Sequence, residues 1–492
     1  MPRNLANTCK IIVVESASPS PQPTDPVSAK KKKGKSFYIA ELLEENTNTI
    51  VVDLGSESVR IGHAYADPRL PRYDVHSNVG VVPPLKSDSS DDATPKSKYF
   101  FDKHRMQHPQ KGMDVFPMVF DGLIDDWDMF EAFFELYIEK ELKADPKEHM
   151  FMFSEANHTS NADRRKLAQL LFEKFNVKAF YSKPSAVYQL LERSASTVGT
   201  VIDLGACHAS VTPVVDMHIL KNNYYKADVA GDYFVDQAVA MFEFINFDLI
   251  PEPYIKERVI ALEDPEPERD PDDFRFSDYE SDDEIEKFGG DDSPVAYPPP
   301  SPIKAQCVID PDVKLSNSYH VWSQQEIVKN FIHETCEIWP QGPLPTDPAI
   351  FKDYRKVCPF PDGRVTTFGR ECFTFGETLF DRKYDRMPPF HPLPTLPEMI
   401  TKMLNDTDEF LYNELKEHMV LTGGSSKLPH LRGRLQFELG REVYGTSILP
   451  VPKQPRLDAY RGAAKLAMHS SMAAVWYSKN QYNEGSNDID YW

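Results

Sequence analysis

The sequence predicts an α/β chain built as two related lobes facing one cleft, and three observations predict it. Strand-like and helix-like stretches alternate along most of the chain. The run Val51-Val52-Asp53-Leu54-Gly55-Ser56 finds a partial echo in Val201-Ile202-Asp203-Leu204-Gly205-Ala206, a β-branched strand turning each time at Asp-Leu-Gly. A third strand-to-glycine turn closes the series at Leu421-Thr422-Gly423-Gly424-Ser425.

Residues 1–48 read as a flexible basic tail, Ser/Pro-rich before Lys30-Lys31-Lys32-Lys33-Gly34-Lys35. That lysine run suits a solvated tail, a nuclear-import signal or an anionic-partner contact. From Thr49 the chain reads as folded. A strand over 50–53 ends at the first glycine turn, and a Ser/Asp-rich loop is expected over 86–98. Apolar residues at helical spacing predict a helix over 129–142. A strand is expected over 150–153, then a helix capped from 157–161 and carrying Leu167, Leu170, Leu171 and Phe175 on one face. A strand over 178–181 and a helix over 185–193 lead into the second turn. Residues 264–302 break the pattern, acidic first and then proline-rich, and read as a surface insertion. Helical spacing of Ile327, Val328, Phe331 and Ile332 predicts a helix over 325–338, and another is expected over 431–439.

The 492 residues give room for two or three domains. No apolar run reaches the roughly 18 residues of a membrane span, and no secretory leader is expected. The six cysteines are scattered, with no C-x-x-C pair, and read as reduced thiols. A net charge of −21 argues against unaided binding to DNA. Between Glu263 and Asp292, 15 acidic and 3 basic residues give −12, so over half of the excess sits in one segment.

Glycine after a strand lets backbone N–H groups approach a phosphate, and two facing turns can clamp a phosphate chain from both sides. Asp53 and Asp203 stand where carboxylates hold a hydrated divalent cation such as Mg²⁺. Ser56 offers a hydroxyl and Arg60 a cation, while Gly423 and Gly424 would approach the nucleoside.

Over residues 49–485 the chain resembles actin and the actin-related proteins. The resemblance rests on Asp53-Leu54-Gly55-Ser56, Gly122-Leu123-Ile124-Asp125-Asp126-Trp127-Asp128, Ser154-Glu155-Ala156 with Arg164-Arg165, Asp203-Leu204-Gly205 and Val229-Ala230-Gly231-Asp232. It continues through Phe360-Pro361-Asp362-Gly363, Leu421-Thr422-Gly423-Gly424 and the tail from Trp476 to Glu484. It implies the two-lobed fold shared with Hsp70 and hexokinase, with duplicated RNase-H-like sheets around a nucleotide cleft. One lobe would comprise 49–193 plus 447–492, the other 194–446 with the 264–302 insertion. It further implies an ATP site with magnesium, formed by Asp53, Gly55, Ser56, Arg60, Asp203, Gly205, Gly231, Gly423, Gly424 and Ser425, the metal lying at Asp53 and Asp203.

Hydrolysis in this family depends on polar groups that place a water, because phosphoryl transfer is mostly positioning and electrostatics. Here actin's glutamine matches Ser185, its second cleft carboxylate Ala206, the following glycine Cys207 and its histidine Ser210. His208 lies about two residues out of register and is given no role. Glu57 replaces a glycine of the first turn and is expected to bring a negative charge towards the phosphates, and Arg60 replaces a lysine. Nucleotide binding is therefore expected without efficient hydrolysis, and no catalytic residue is assigned.

The stretch from Asp203 to Val214 and the helix ending in Glu334-Thr335-Cys336 are most similar to the actin-related protein 4 subfamily. That resemblance implies a nuclear, non-polymerising subunit of a SWI/SNF-type or related remodelling complex, or of a histone acetyltransferase complex. Such a subunit pairs with actin on a helix of the remodeller ATPase or scaffold, in a groove near Trp476. The acidic insertion is a candidate histone contact. Competing readings are a cytoskeletal, dynactin-like pointed-end subunit, with the cytoplasm as its compartment, and an actin-type ATPase. A sugar kinase or Hsp70-like chaperone is disfavoured by the actin-like tail.

Overall fold

The computed structural model describes residues 48–65, 70–84, 97–258, 307–340, 342–386 and 393–486. The expected basic tail, apart from Asn48, and the acidic insertion lie outside the described residues.

The chain opens with the hairpin β1 (Thr49–Leu54) and β2 (Ser58–His63), extended by β3 (Tyr73–His76). A small sheet of β4 (Asn78–Val82), β5 (Lys98–Phe100) and β6 (Asp114–Pro117) follows, with the short helix α1 (Lys103–Met106) between its last two strands. Short strands β7 (Val119–Phe120) and β8 (Leu123–Ile124) lead to α2 (Trp127–Phe134), which continues with wider turns over Glu135–Glu141. Then β9 (Met150–Glu155), α3 (Asn161–Gln169), β10 (Ala179–Pro184) and α4 (Ser185–Arg193) alternate. Ser160 caps α3 reciprocally with Asp163, which satisfies N–H groups that a helix start leaves free.

The second half repeats the opening move with β11 (Val198–Leu204) and β12 (Ala209–Val215), flanked by β13 (His218–Ile219) and β14 (Tyr225–Ala227). Helix α5 (Gly231–Phe244), the hairpin β15 (Ile255–Arg258) and β16 (Cys307–Ile309), and the long helix α6 (Asn317–Thr335) come next. A hairpin of β17 (Lys356–Pro359) and β18 (Val365–Phe368) precedes α7 (Glu371–Glu377), α8 (Leu396–Asn405) and α9 (Glu409–Glu417). Strand β19 (Met419–Thr422), α10 (Leu431–Glu442), α11 (Asp458–Ala467), β20 (Tyr477–Ser478) and α12 (Lys479–Asn483) complete the chain.

Two sheets dominate, ordered β20-β10-β9-β1-β2-β3 and β13-β12-β11-β19, with β14 also on β12. Each is built alike: an antiparallel hairpin whose first strand pairs parallel with a later strand. Thus β1 pairs with β9, Asp53 beside Ser154, and β11 with β19, Asp203 beside Thr422. Central strands buried on both faces read as continuous apolar runs, which is why Ile50–Val52 and Met150–Phe153 are apolar without alternation. A phenylalanine-rich core, including Phe130, Phe133, Phe134, Phe151 and Phe153, covers one face of the first sheet; a larger core around Ile202, Phe242, Phe331 and Leu421 serves the second.

Helices α4 and α11 pack against each other, α11 also touching β1 and β9 and α4 touching β11 and β19. They approach so closely that a Cβ on Gly462 would overlap the Tyr188 carbonyl.

Several boundaries differ from expectation: β10 runs to Pro184 and α10 to Glu442, each three residues further than expected. Lys98 opens β5 rather than ending a loop, and most of that expected loop lies outside the described residues. Helix α6 begins at Asn317, eight residues before the helix expected from 325, and stops at Thr335. The earlier part packs on a different set of partners, so the periodicity of Ile327 to Ile332 does not extend into it.

Candidate functional site

The three glycine turns meet. In the first, β1–β2 pairing sets Arg60 directly opposite Asp53, so the two side chains share a face. Arg60 donates to the Asp53 carboxylate at 2.8 Å and to Ser58 Oγ at 3.0 Å. Its Nε lies 3.5 Å from Asp74. The cation expected to reach phosphates is thus held on Asp53. Ser56 Oγ accepts the Gly122 N–H at 2.8 Å, and the Gly55 carbonyl accepts the Ser77 hydroxyl at 2.6 Å, which fixes the turn.

In the second turn, Asp203 accepts from Gln189 Nε2 at 2.7 Å. Burial raises the Asp203 carboxyl above the usual carboxylate range, against the Gln189 hydrogen bond. The Gly205 carbonyl accepts from Ser425 Oγ at 3.1 Å and from Gly231 N at 3.2 Å, so one oxygen ties Gly205, Gly231 and Ser425 together. Gly423 has φ +86°, and a Cβ there would run into the Asp203 carboxylate and the Leu204 carbonyl; glycine is required. Gly424 faces open space, and a Cβ there would meet nothing within 4 Å.

Ala206 and Cys207 follow Gly205. The Cys207 thiol, pushed up to about 11 by burial, donates to Asp232 Oδ2 at 3.3 Å and meets Ser56 of the first turn. It is a packed thiol and not a nucleophile. His208 lies in the turn before β12, and its Nδ1 is 2.6 Å from Asp121 Oδ1. Lys226 also pairs with Asp121, and His158 Nε2 lies 3.1 Å from it. Burial is the first influence on the Asp121 carboxyl, but His208 and Lys226 outweigh it and hold the group well below its ordinary range.

Glu57 does not project as a bare charge. Lys329 of α6 donates to it at 2.7 Å, and His76 Nε2 lies 3.2 Å away. Burial opposes its ionisation, yet those partners lower it to about 2. Glu57, His76 and Glu326 are close enough to resemble a metal triad. His76 Nε2, however, faces the two carboxylates as a cation, 3.2 Å from Glu57 and 3.6 Å from Glu326, and Lys329 already occupies both of them. The cluster is an ion-pair network.

The fit to a hydrated cation and a phosphate chain rests on polar atoms left over beside the two aspartates. Ser154 Oγ next to Asp53, Ser210 Oγ opposite Asp203, and Gln189 Oε1 are buried without hydrogen-bond partners. Such groups are costly unless something pairs with them. The residues present therefore fit the group, with Arg60 as a built-in competitor for Asp53. Gln189, His76, Asp121, Lys226 and Lys329 went unnoticed in the sequence. The i,i+3 spacing of Glu326 and Lys329 was the available signal, but nothing local told where that pair would point.

Comparison with known proteins agrees with this geometry. The family described as Actin matches residues 44–286 and 295–489. The "SWI/SNF and RSC complexes subunit arp42" of Schizosaccharomyces pombe is 26% identical over 450 residues, covering 89% of this chain and 96% of that protein. Actin-related protein 4 of Yarrowia lipolytica is 25% identical over 452 residues, 89% of this chain and 94% of its own. Actin-related protein 4 of Arabidopsis thaliana is 23% identical over 477 residues, 89% and 97%. No described helix is long and apolar enough to cross a membrane. With the doubled hairpin-plus-parallel-strand sheet, the three converging glycine turns and a match across nearly the whole folded length, the chain belongs to the actin family.

Proposed function

We propose that this protein is an architectural, non-catalytic subunit of a nuclear chromatin-remodelling complex, pairing with actin on a helix of the remodeller ATPase or scaffold. The observation that carries the reading is its similarity to the SWI/SNF and RSC subunit arp42, 26% identical over 89% of this chain, with actin-related proteins 4 at 23% and 25% over the same share. The chain would act as two lobes, 49–193 with 447–492 and 194–446, the first lobe's α4 packing on α11 and also on β11 and β19 of the second. The residues for nucleotide are Asp53, Gly55, Ser56, Arg60, Asp203, Gly205, Gly231, Gly423, Gly424 and Ser425, with Mg²⁺ at Asp53 and Asp203. Bound ATP supplies charge for the glycine turns to hold; this chain offers little to cleave it. Among the described residues Ser185 Oγ reaches Asn157, Ser210 has a short hydroxyl where a base is needed, Ala206 has no carboxylate, and His208 is held by Asp121.

Affinity purification of the tagged full chain from nuclear extract tests the assignment. Recovery of actin with a remodeller ATPase is expected; dynein-associated proteins without remodeller subunits would overturn it. The acidic insertion is proposed to contact histones, whose basic surface matches its charge. Deleting 264–302 should weaken histone capture at low salt while leaving the melting temperature unchanged, and unchanged capture would discard the contact.

A further inference from the structure

Helix α6 belongs to two cores at once. Its second half, with Ile327, Val328, Phe331 and Ile332, is buried in the core of the second sheet. Its first half places Tyr319 and Trp322 against Phe100, Met106, Met113 and Val115 of the small β4–β6 sheet and α1. The same turns are bonded to that sheet. Tyr319 OH donates to the Met106 carbonyl at 2.6 Å, Ser316 Oγ to the Met113 carbonyl at 2.7 Å, and Ser318 Oγ to Asp114 at 2.7 Å while accepting from Val115 N at 3.1 Å.

A charged layer lies beside this seam. Glu57 from the first glycine turn, His76 from β3 and Lys103 from α1 face Glu326 and Lys329 from α6, and Lys103 pairs with Glu326. Glu57 and Lys329 therefore join a glycine turn of one half to a helix of the other. An anion reaching from the first turn to a cation on the far side would do the same; here the chain carries the carboxylate itself.

We propose that α6 from Asn317 to Lys329 is an intrachain strap that keeps the cleft shut without nucleotide. Closure is then a constitutive property of the chain, and nucleotide occupancy is not the signal that partners read. The strap combines an apolar seam, which ordinary salt does not weaken, with a partly buried ionic layer, which is screened less than surface pairs are. The inference goes beyond the reading as a complex subunit and survives if no nucleotide binds.

Hydrogen exchange on the full-length protein tests it, after dialysis against EDTA and apyrase treatment with nucleotide content checked by chromatography. The amides of Tyr319 to Gln325 and Val79 to Val81 should be protected to within about twofold with and without ATP·Mg²⁺. Lys329→Met and the double variant Tyr319→Ala, Trp322→Ala should each lose at least about tenfold protection there. The amides of Val201–Asp203 and Phe151–Phe153 should stay protected in these variants, which reports that the rest has folded. Protection at α6 that appears only on adding ATP·Mg²⁺ would overturn the strap while upholding the nucleotide site. Full protection in either variant would overturn the strap as proposed.

Discussion

Gly423 and Gly424 are neighbours with different duties. Gly423 is held by its positive φ and by the Asp203 carboxylate, so Gly423→Ala should destabilise the fold by about 2 kcal/mol or more, read by chemical denaturation. Gly424 has room for a methyl, so Gly424→Ala should leave the unliganded melting temperature unchanged and remove most of the rise produced by ATP·Mg²⁺. Arg164 and Glu155 form a buried pair, and the Glu155 carboxylate also accepts the Ser182 hydroxyl at 2.7 Å. Arg164→Met would strand Glu155 and should cost about 3–5 kcal/mol by the same measurement. These two residues sit in a motif that the sequence marks, and their part is structural. His76 carries a pH signature. Burial alone would lower it, but the Glu326 and Glu57 carboxylates facing its Nε2 push it up to about 9. Because the folded value is above the unfolded one, its stabilisation is full below pH ~6.5 and is lost as pH rises through about 9. Glu57, lowered to about 2, contributes above its ordinary range and loses that only on strong acidification. The melting temperature should thus fall by a few degrees between pH ~6.5 and 9, and His76→Gln should flatten that slope.

At the scale of elements, α6 shows how a local pattern can be read correctly and still incompletely. The apolar residues from Ile327 to Ile332 recur at helical spacing because they meet one core. Tyr319 and Trp322, upstream, meet another core with different partners, so the stripe changes direction and its beginning is lost. Ser316 accepts the Tyr319 N–H at 3.3 Å while donating to Met113, capping the helix and fastening it. Ser316→Ala should cost about 1–2 kcal/mol, measured by urea denaturation, with exchange rising first in the initial turn of α6. The α4–α11 crossing depends on Gly462 in the same physical sense. Any side chain there must push Tyr188 away, so Gly462→Ala should cost about 3 kcal/mol and loosen the contact between the two sheets. Nothing in the run Tyr460-Arg461-Gly462-Ala463 says that a neighbouring helix is so near.

On the proposed function, the whole molecule would hold a nucleotide without cleaving it. Phosphate release from the purified chain should stay at the no-enzyme rate, while saturating ATP·Mg²⁺ should stabilise it by ~3 kcal/mol at a hundredfold excess over Kd. Turnover at the level of filamentous actin would remove the architectural reading. Residue order was enough to establish the fold class, the strand–turn pairs at Asp53 and Asp203 and the third turn at Gly423. These were legible because strand runs, glycine turns and residue identities are local, and their collinear order carries the family. Packing was needed to learn that Arg60 is held on Asp53, that Gln189 supports Asp203, that His208 serves Asp121, and that Glu57 faces Lys329, 272 residues away, rather than an open cleft. The physical reason is that a charge takes its meaning from the partner opposite it. Those partners arrive from other strands and helices, so the sequence names the charged groups and the folded chain chooses what each one does.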